Sequence, residues 1–434
     1  MPSQRADSTA AAARPAGVLG SPFFALWAGQ SASLLGDQVS LIALPLLATG
    51  YLAASTFDVG LLGMCLRLPF LLIGLPAGVW VTRLGLLRSM IGADIARGLA
   101  IGLLPALVLA GRAQLPALLA AAVVVGLGTV FFQVSYQSLV PELIPDEAGW
   151  HGANTRLSLS ESAALLCGPA LGGLVVSRCA PPGALAVDAG TYAASVATLL
   201  LVASRVRRPR GHGRGGGAGT LRAQVRDGLR YVRESPVLNA LMWTGAAYNL
   251  GSAMYDSALI VFAVHVLHLS PARTGLAIAA GGVGFPVSTA LSGMINRRLG
   301  LGPSLIAAAV PSVAGLVVAS LAAGPAAWWP LALGTLLVGL GQGCFAVNAI
   351  TLRQFAAAPS MRAQATAVHR FVSWGALPAG SLAAGIVGQE FGVRVAVVAA
   401  GLISASCFWP LLRSPLRSIK TTGDAGARSG RPPP

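Results

Sequence analysis

Four charged residues stand where charge is costly. Asp37, Arg67, Glu161 and Asp256 each fall inside a long apolar run. If those runs cross a bilayer, an ionisable group there costs about 2.5–3.5 kcal/mol on insertion scales and is kept for a purpose. Burial disfavours the charged form of a carboxyl group, so such a group is suited to taking up and releasing a proton. Asp37, near the middle of the first run, is the leading candidate for proton coupling. The plain alternative is a carboxylate held by a neighbouring helix that never titrates. Arg67 is the basic residue expected to answer Asp37, either as a static ion pair or as one that opens on protonation. Asp256 is the second proton-site candidate. Glu161 lies deeper than Arg156 in its run and is a cavity candidate, whereas Asp188, near a run's start, reads as interfacial. Trp243 and Trp374 could line an aromatic part of a cavity, or face lipid. His265 and His268 share a face at a membrane edge and make a weak case for a metal. No G-x-S-x-G, H-E-x-x-H or Walker sequence occurs, so neither an enzyme nor a bound cofactor is expected.

The elements that must hold these residues are set by composition. The chain of 434 residues is 55% hydrophobic and 10% charged, with mean hydropathy +0.71. A soluble domain is usually about 25% charged. Too few polar residues are present to cover a soluble surface. At about 20 apolar residues per span, some twelve helices fit: 22–48, 59–81, 89–110, 115–140, 153–177, 183–203, 237–264, 273–295, 303–323, 328–352, 364–388 and 393–412. The expected fold is an all-α membrane protein of two pseudo-symmetric six-helix bundles.

That symmetry rests on a repeat. Gly78-Val-Trp-Val-Thr82-Arg83-Leu-Gly85 and Gly293-Met-Ile-Asn-Arg297-Arg298-Leu-Gly300 both read G-x-x-x-x-R-L-G, 215 positions apart (293 minus 78). Leu35-Gly36 and Leu250-Gly251 share the offset. Duplicated halves are a transporter architecture. Asp94 and Arg97, three apart near the inner face, are read with Arg83 and Arg88 as a gate network, or else as a static surface pair. Gly168, Pro169, Gly172 and Gly173 in span five, and Gly281, Gly282 and Gly284 in span eight, are expected to let those helices approach across the half–half interface.

The net charge of +16 is almost all arginine. The arginines fall between apolar runs, which argues for membrane orientation rather than nucleic-acid binding. Arg83, Arg88, Arg297, Arg298, Arg353, Arg362 and a central cluster from Arg205 to Arg233 mark one side as cytoplasmic, with both termini there. Trp27, Trp80, Trp150 and Trp409 are placed near inner helix ends, and Trp328 and Trp329 near an outer one. The expected organisation is a disordered tail 1–20, a first half 21–203, a linker 204–235, a second half 236–413 and a disordered tail 414–434. The linker combines a flexible tract, Gly211 to Gly219, with an amphipathic helix. That helix has Leu221, Val225, Leu229 and Val232 on one face and its arginines reaching anionic headgroups.

Over nearly its whole length the chain resembles the major facilitator superfamily, in particular bacterial exporters of the enterobactin-exporter and drug:proton antiporter types. The resemblance is carried by Leu26-Trp27-Ala28-Gly29-Gln30 through Leu35-Gly36-Asp37, by Gly78 to Arg88, by Asp94-Ile-Ala-Arg97, by Gly168-Pro169-Ala-Leu-Gly172-Gly173 and by Gly228-Leu-Arg-Tyr-Val. Thr82 stands where the family loop has an acid, and Leu86 and Leu87 where it has basic residues. The resemblance implies that a gate of Gly78, Thr82, Arg83, Gly85, Arg88, Asp94, Arg97, Arg297, Arg298 and Arg370 controls access. It implies a coupling or substrate acid on the first helix. The expected function is proton-coupled efflux of a small organic molecule, such as a drug, antibiotic or siderophore, by a monomer in the bacterial plasma membrane. A proton-coupled importer and a non-transporting sensor of the same fold are the alternatives.

Overall fold

The computed structural model describes residues 22–74, 76–143, 147–205, 221–324, 326–358 and 361–421. The expectations for the tail 1–20, the tract Gly211–Gly219, Trp150, the side chains of Leu221 and Val225, and nearly all of the tail from 422 lie outside the described residues.

Every regular element among them is helical. The first half comprises α1 (Pro22–Tyr51), α2 (Thr56–Ile73), α3 (Ala77–Leu84), α4 (Leu86–Leu109), α5 (Leu115–Leu143) and α6 (Glu147–Arg205). After α7 (Leu221–Glu234) come α8 (Pro236–Val261), α9 (Pro271–Leu299), α10 (Leu301–Ser320), α11 (Trp328–Ala356), α12 (Arg362–Phe391), α13 (Val393–Ala405) and α14 (Phe408–Arg413). Ten helical stretches among the described residues are long and apolar enough to cross a membrane. One of them, in α6, turns at Ala180 (φ 57°, ψ 165°) and contains two membrane-length arms. α8 falls outside the ten because it carries Asn239, Asn249, Tyr255 and Asp256. Counting both arms of α6 and adding α8 agrees with twelve spans.

Helix starts follow local chemistry. Ser55 caps α2 in a reciprocal box with Asp58, and Ser235-Pro236 and Ser270-Pro271 open α8 and α9 with a hydroxyl cap and a proline. The G-x-x-x-x-R-L-G stretches end in turns that only glycine adopts readily: Gly85 has φ 90° and Gly300 φ 91°. Each ends one helix and begins the next. These two turns define the loop face of the bundle; the opposite end is the far face.

The halves touch through α2 against α12 and α6 against α9. Their contacts concentrate toward the far face. There His265 Nε2 lies 2.9 Å from Thr49 Oγ1, and the Ala272 N–H donates to Ser177 Oγ at 3.1 Å. Gly60 meets Gly385 so closely that a Cβ on Gly60 would lie 2.5 Å from the Gly385 Cα. At the loop face no hydrogen bond or ion pair joins described residues of the two halves directly. Toward that face α2 and α12 still touch, Leu71 against Gly375 and Phe70 against Trp374, and the cavities lie beside these contacts.

α7 departs from expectation. Val232 is buried in the second half, Gly228 packs on Val368 and Gln364, and the Ala358 N–H donates to the Tyr231 hydroxyl at 2.9 Å. At least that part of its apolar face is taken by protein, because α12 and α8 supply a closer apolar surface than lipid. Arg226 and Arg230 are exposed beside Asp227 and Glu234.

Candidate functional site

Between the halves lies a cavity of about 180 Å³ lined by Asp37 and Ser40 of α1, Gly63 and Arg67 of α2, Tyr192 of α6, and Asp256 and Ser257 of α8, among apolar neighbours. Small residues bring these helices together: Gly36 on α1 seats against Thr191 and Asp188 of α6. The Tyr192 hydroxyl then donates to Asp37 Oδ1 at 2.5 Å. Asp37 makes no ion pair with a described residue. The expectation that Arg67 answers Asp37 is corrected: Arg67 Nη2 lies 3.8 Å from Asp256 Oδ2. Its Nη1 donates to Ser381 Oγ on α12 at 3.2 Å and to the Gly63 carbonyl at 3.3 Å. Arg67 therefore ties the first half to two helices of the second.

Behind Tyr192 is a dry polar cluster. Asp94 and Arg97 form a buried ion pair, with 0% and 3% of their side chains exposed. Ser195 donates to Asp94 at 2.6 Å, and the Arg97 guanidinium lies 4.8 Å and 4.7 Å from the ring centres of Phe132 and Tyr192. Asp188 is fully buried and accepts from the hydroxyls of Ser40 and Thr191. Three carboxylates, of Asp37, Asp94 and Asp188, thus share one guanidinium. Asp188 is not interfacial. The missed signal is its spacing: Asp188 and Tyr192 are four apart, hence on one helix face.

A second cavity, about 300 Å³, adjoins the first toward the loop face. It is lined by Phe70, Leu71 and Gly74 of α2, Gln133 and Gln137 of α5, and Arg370, Phe371 and Trp374 of α12. The Arg370 guanidinium stands 4.9 Å over the Trp374 ring, and Phe70 meets that ring edge-on at 6.1 Å.

A helical bundle consistent with twelve spans, halves related by repeat and a cavity between them are joined by a direct match: the Major Facilitator Superfamily model covers residues 26–376. The chain belongs to the major facilitator superfamily. Among curated superfamily relatives, it is 24% identical over 274 residues to the uncharacterized MFS-type transporter YfiS of Bacillus subtilis (strain 168), covering 63% of this chain and 64% of that one. It is 27% identical over 224 residues to the multidrug efflux pump Tap of Mycolicibacterium fortuitum, covering 50% and 53%. The chain thus matches between about half and two thirds of these relatives' lengths. Solved structures agree on the fold. A bacterial homologue of the human lysosomal transporter Spinster, inward-facing and unoccupied, superposes with TM-score 0.70 at 15% identity over 95% of this chain and 98% of that one. The nucleoside transporter NupG gives 0.70 at 10% identity, over 90% and 98%. A bacterial homologue of the iron transporter ferroportin, inward-facing, gives 0.64 at 17%, over 89% and 98%.

The superfamily loop residues are not brought together as one gate. Gly78 and Gly85 have open space around them, and the exposed Thr82 hydroxyl donates to the Val79 carbonyl of its own helix at 2.8 Å. Arg83 and Arg88 line a groove with Gly92, Ala96 and Phe131. Arg297 and Arg298 end α9, and Arg370 belongs to the second cavity. Asp94 and Arg97 are neither a surface pair nor neighbours of that groove's arginines, because their side chains turn into the first-half core toward α6. Glu161 lines neither cavity; Tyr136 of α5 is within its electrostatic reach. Trp243 is 54% exposed and also lines neither, while Trp374 is in the second.

The glycines divide their work. Gly173 meets Pro271 and Gly275, the Pro169 carbonyl meets Gly275, and Gly282 meets Leu165 and Leu166, all across the half–half interface. Gly168 and Gly172 instead pack on Gln38 of α1, and Gly281 and Gly284 on α11 within the second half.

Proposed function

We propose that this chain exports a small organic molecule from the bacterial cytoplasm in exchange for protons, by alternating access. The observation that carries this reading is Asp37: a carboxylate on the central cavity, held by one phenol, with no cation of its own. The arginines of the loop face support that face as cytoplasmic, and the contacts toward the far face support an inward-open arrangement.

In this reading Asp37 alternates between proton and substrate. The groups facing it are Tyr192 and Asp188 from α6, Asp94 and Arg97 from α4, Arg67 from α2 and Asp256 from α8. Three carboxylates and two guanidiniums are among them. A proton on Asp256 would weaken its pull on Arg67, loosening a tie between α2, α8 and α12. The halves could then rock. Likeness to an efflux pump in Mycolicibacterium fortuitum supports export over import.

The test is transport in proteoliposomes with an imposed pH gradient, using fluorescent dyes as first substrates. The wild-type chain is expected to concentrate substrate against its gradient. Asp37→Asn is expected to retain exchange of labelled for unlabelled substrate but lose gradient-driven movement. Gradient-driven transport that survives Asp37→Asn would remove the proton role.

A further inference from the structure

Two unmatched charges face the stacked cavities. In the inner one, the Arg370 guanidinium makes no hydrogen bond or ion pair with any described residue; its recorded contact is the Trp374 ring. Arg353 and His369 stand within electrostatic reach of it, and Arg353 Nε and His369 Nδ1 are buried without a partner. No acid among the described residues pairs with this cluster. In the deeper cavity the reverse holds. Arg67 is engaged by Asp256 and Arg97 is paired with Asp94, leaving Asp37 with the Tyr192 hydroxyl as its hydrogen-bond partner and no ion pair with a described residue.

The cavities follow the same two helices. On α2 the deep one is lined as far as Arg67 and the inner one begins at Phe70; on α5 the deep one ends at Thr129 and the inner one begins at Val130. The linings are apolar and aromatic between the charged ends, with Gln133 and Gln137 offering hydrogen bonds. From the level of Arg67 to that of Gly74 is seven residues, or on the order of 10 Å at about 1.5 Å per residue.

We infer that the ligand of this path is an amphipathic zwitterion: an anionic group on Arg370, an aromatic body against Trp374 and Phe70, and an ammonium group at Asp37. This rests on the export reading above and names its substrate class. A purely cationic ligand meets the unpaired Arg370 guanidinium on entry. A purely anionic one meets Asp37 and Asp256 at the end. A zwitterion meets neither repulsion, and its ammonium competes with the proton for Asp37, as exchange requires.

The experiment is calorimetric binding to the full chain in lipid nanodiscs with three probes. The first is a biphenyl with a carboxylate at one end and an aminomethyl group at the other. Its methyl ester is the cationic probe, and the same acid with methyl in place of aminomethyl is the anionic one. The zwitterion is expected to bind at least about tenfold more tightly than either singly charged probe. Arg370→Gln should reduce its affinity to that of the ester, Arg370→Lys should keep most of the preference, and Asp37→Asn should reduce it to that of the acid. Equal binding of all three, no binding of the zwitterion, or an unchanged order in Arg370→Gln overturns the inference. Gradient-driven flux is read separately. Coupled transport without charge preference would defeat the zwitterion and leave the exporter, whereas charge-selective binding without coupled flux would do the opposite.

Discussion

Gly85 in the first half and Gly300 in the second are equivalent under the 215-residue repeat, and their backbones agree within a degree of φ. Gly36 and Gly251 are equivalent too. Gly36 seats α1 on the second arm of α6, and Gly251 seats α8 on Ser404 and Ala400 of α13. The backbone plan is therefore shared. The filling is not. Asp37, Asp94, Arg97 and Asp188 have Ser252, Ala309, Ser312 and Ile403 as counterparts. The second half packs around Ser312, which donates to the Val338 carbonyl at 3.3 Å, where the first half buries an arginine. A six-helix bundle of this plan holds together on small residues and aliphatic packing. The charges of the first half are additions to the fold, and an addition that costs solvation calls for a functional explanation.

The comparison breaks most readily at Arg97. Arg97→Leu strands Asp94 as an unpaired buried charge and is expected to cost about 3–5 kcal/mol, read as thermal or denaturant unfolding in detergent. Asp94→Leu combined with it should regain most of that. Ser312→Ala, the counterpart change, should cost about 1 kcal/mol. Equal losses at the two positions would mean the halves are not filled differently in energetic terms.

The glycine contacts sharpen the shared part of the plan. Gly251→Ala pushes a methyl group onto the backbone of α13 and is expected to cost about 1–3 kcal/mol. Gly36→Ala meets the side chains of Thr191 and Asp188, which can rotate, so its melting temperature should fall less. Gly85→Ala and Gly300→Ala both lose a backbone conformation that L-residues disfavour by about 1–2 kcal/mol. Gly300→Ala should lose more, since its Cβ would come 2.8 Å from the Lys420 Cα while Gly85 has open space. The smallest effect is expected at Thr82, whose hydroxyl serves only its own helix: Thr82→Ala should shift stability by no more than about 0.5 kcal/mol. A large loss there would show that the Gly78–Gly85 stretch has a partner in this state.

Much of the architecture was legible residue by residue. Run length and apolarity marked the spans. The reversal between spans five and six was expected between 177 and 183 and occurs at Ala180. Glycine at 85 and 300 marked the turns because only there does a missing Cβ decide the backbone. The candidate site was legible in part. Asp37, Arg67 and Asp256 do line one cavity, yet Arg67 and Asp37 are not partners, Asp188 read as interfacial, and Tyr192 went unnoticed. An acid near a helix end looks interfacial until the neighbouring helix is seen to cover it.

By itself, then, the sequence determined the quantities that depend on a residue and its near neighbours: solvent class, helix lengths, turn positions, the internal repeat and the presence of charges that lipid would not tolerate. The tertiary structure alone decided which charge meets which. It turned Asp94, Arg97 and Asp188 inward, joined Arg67 to Asp256 across the halves, and packed Gly228, Tyr231 and Val232 of α7 against the second half. Those outcomes depend on the rotation of each helix about its axis and its register against helices distant in the chain. In helices that are apolar nearly all round, little in the sequence marks one face from another.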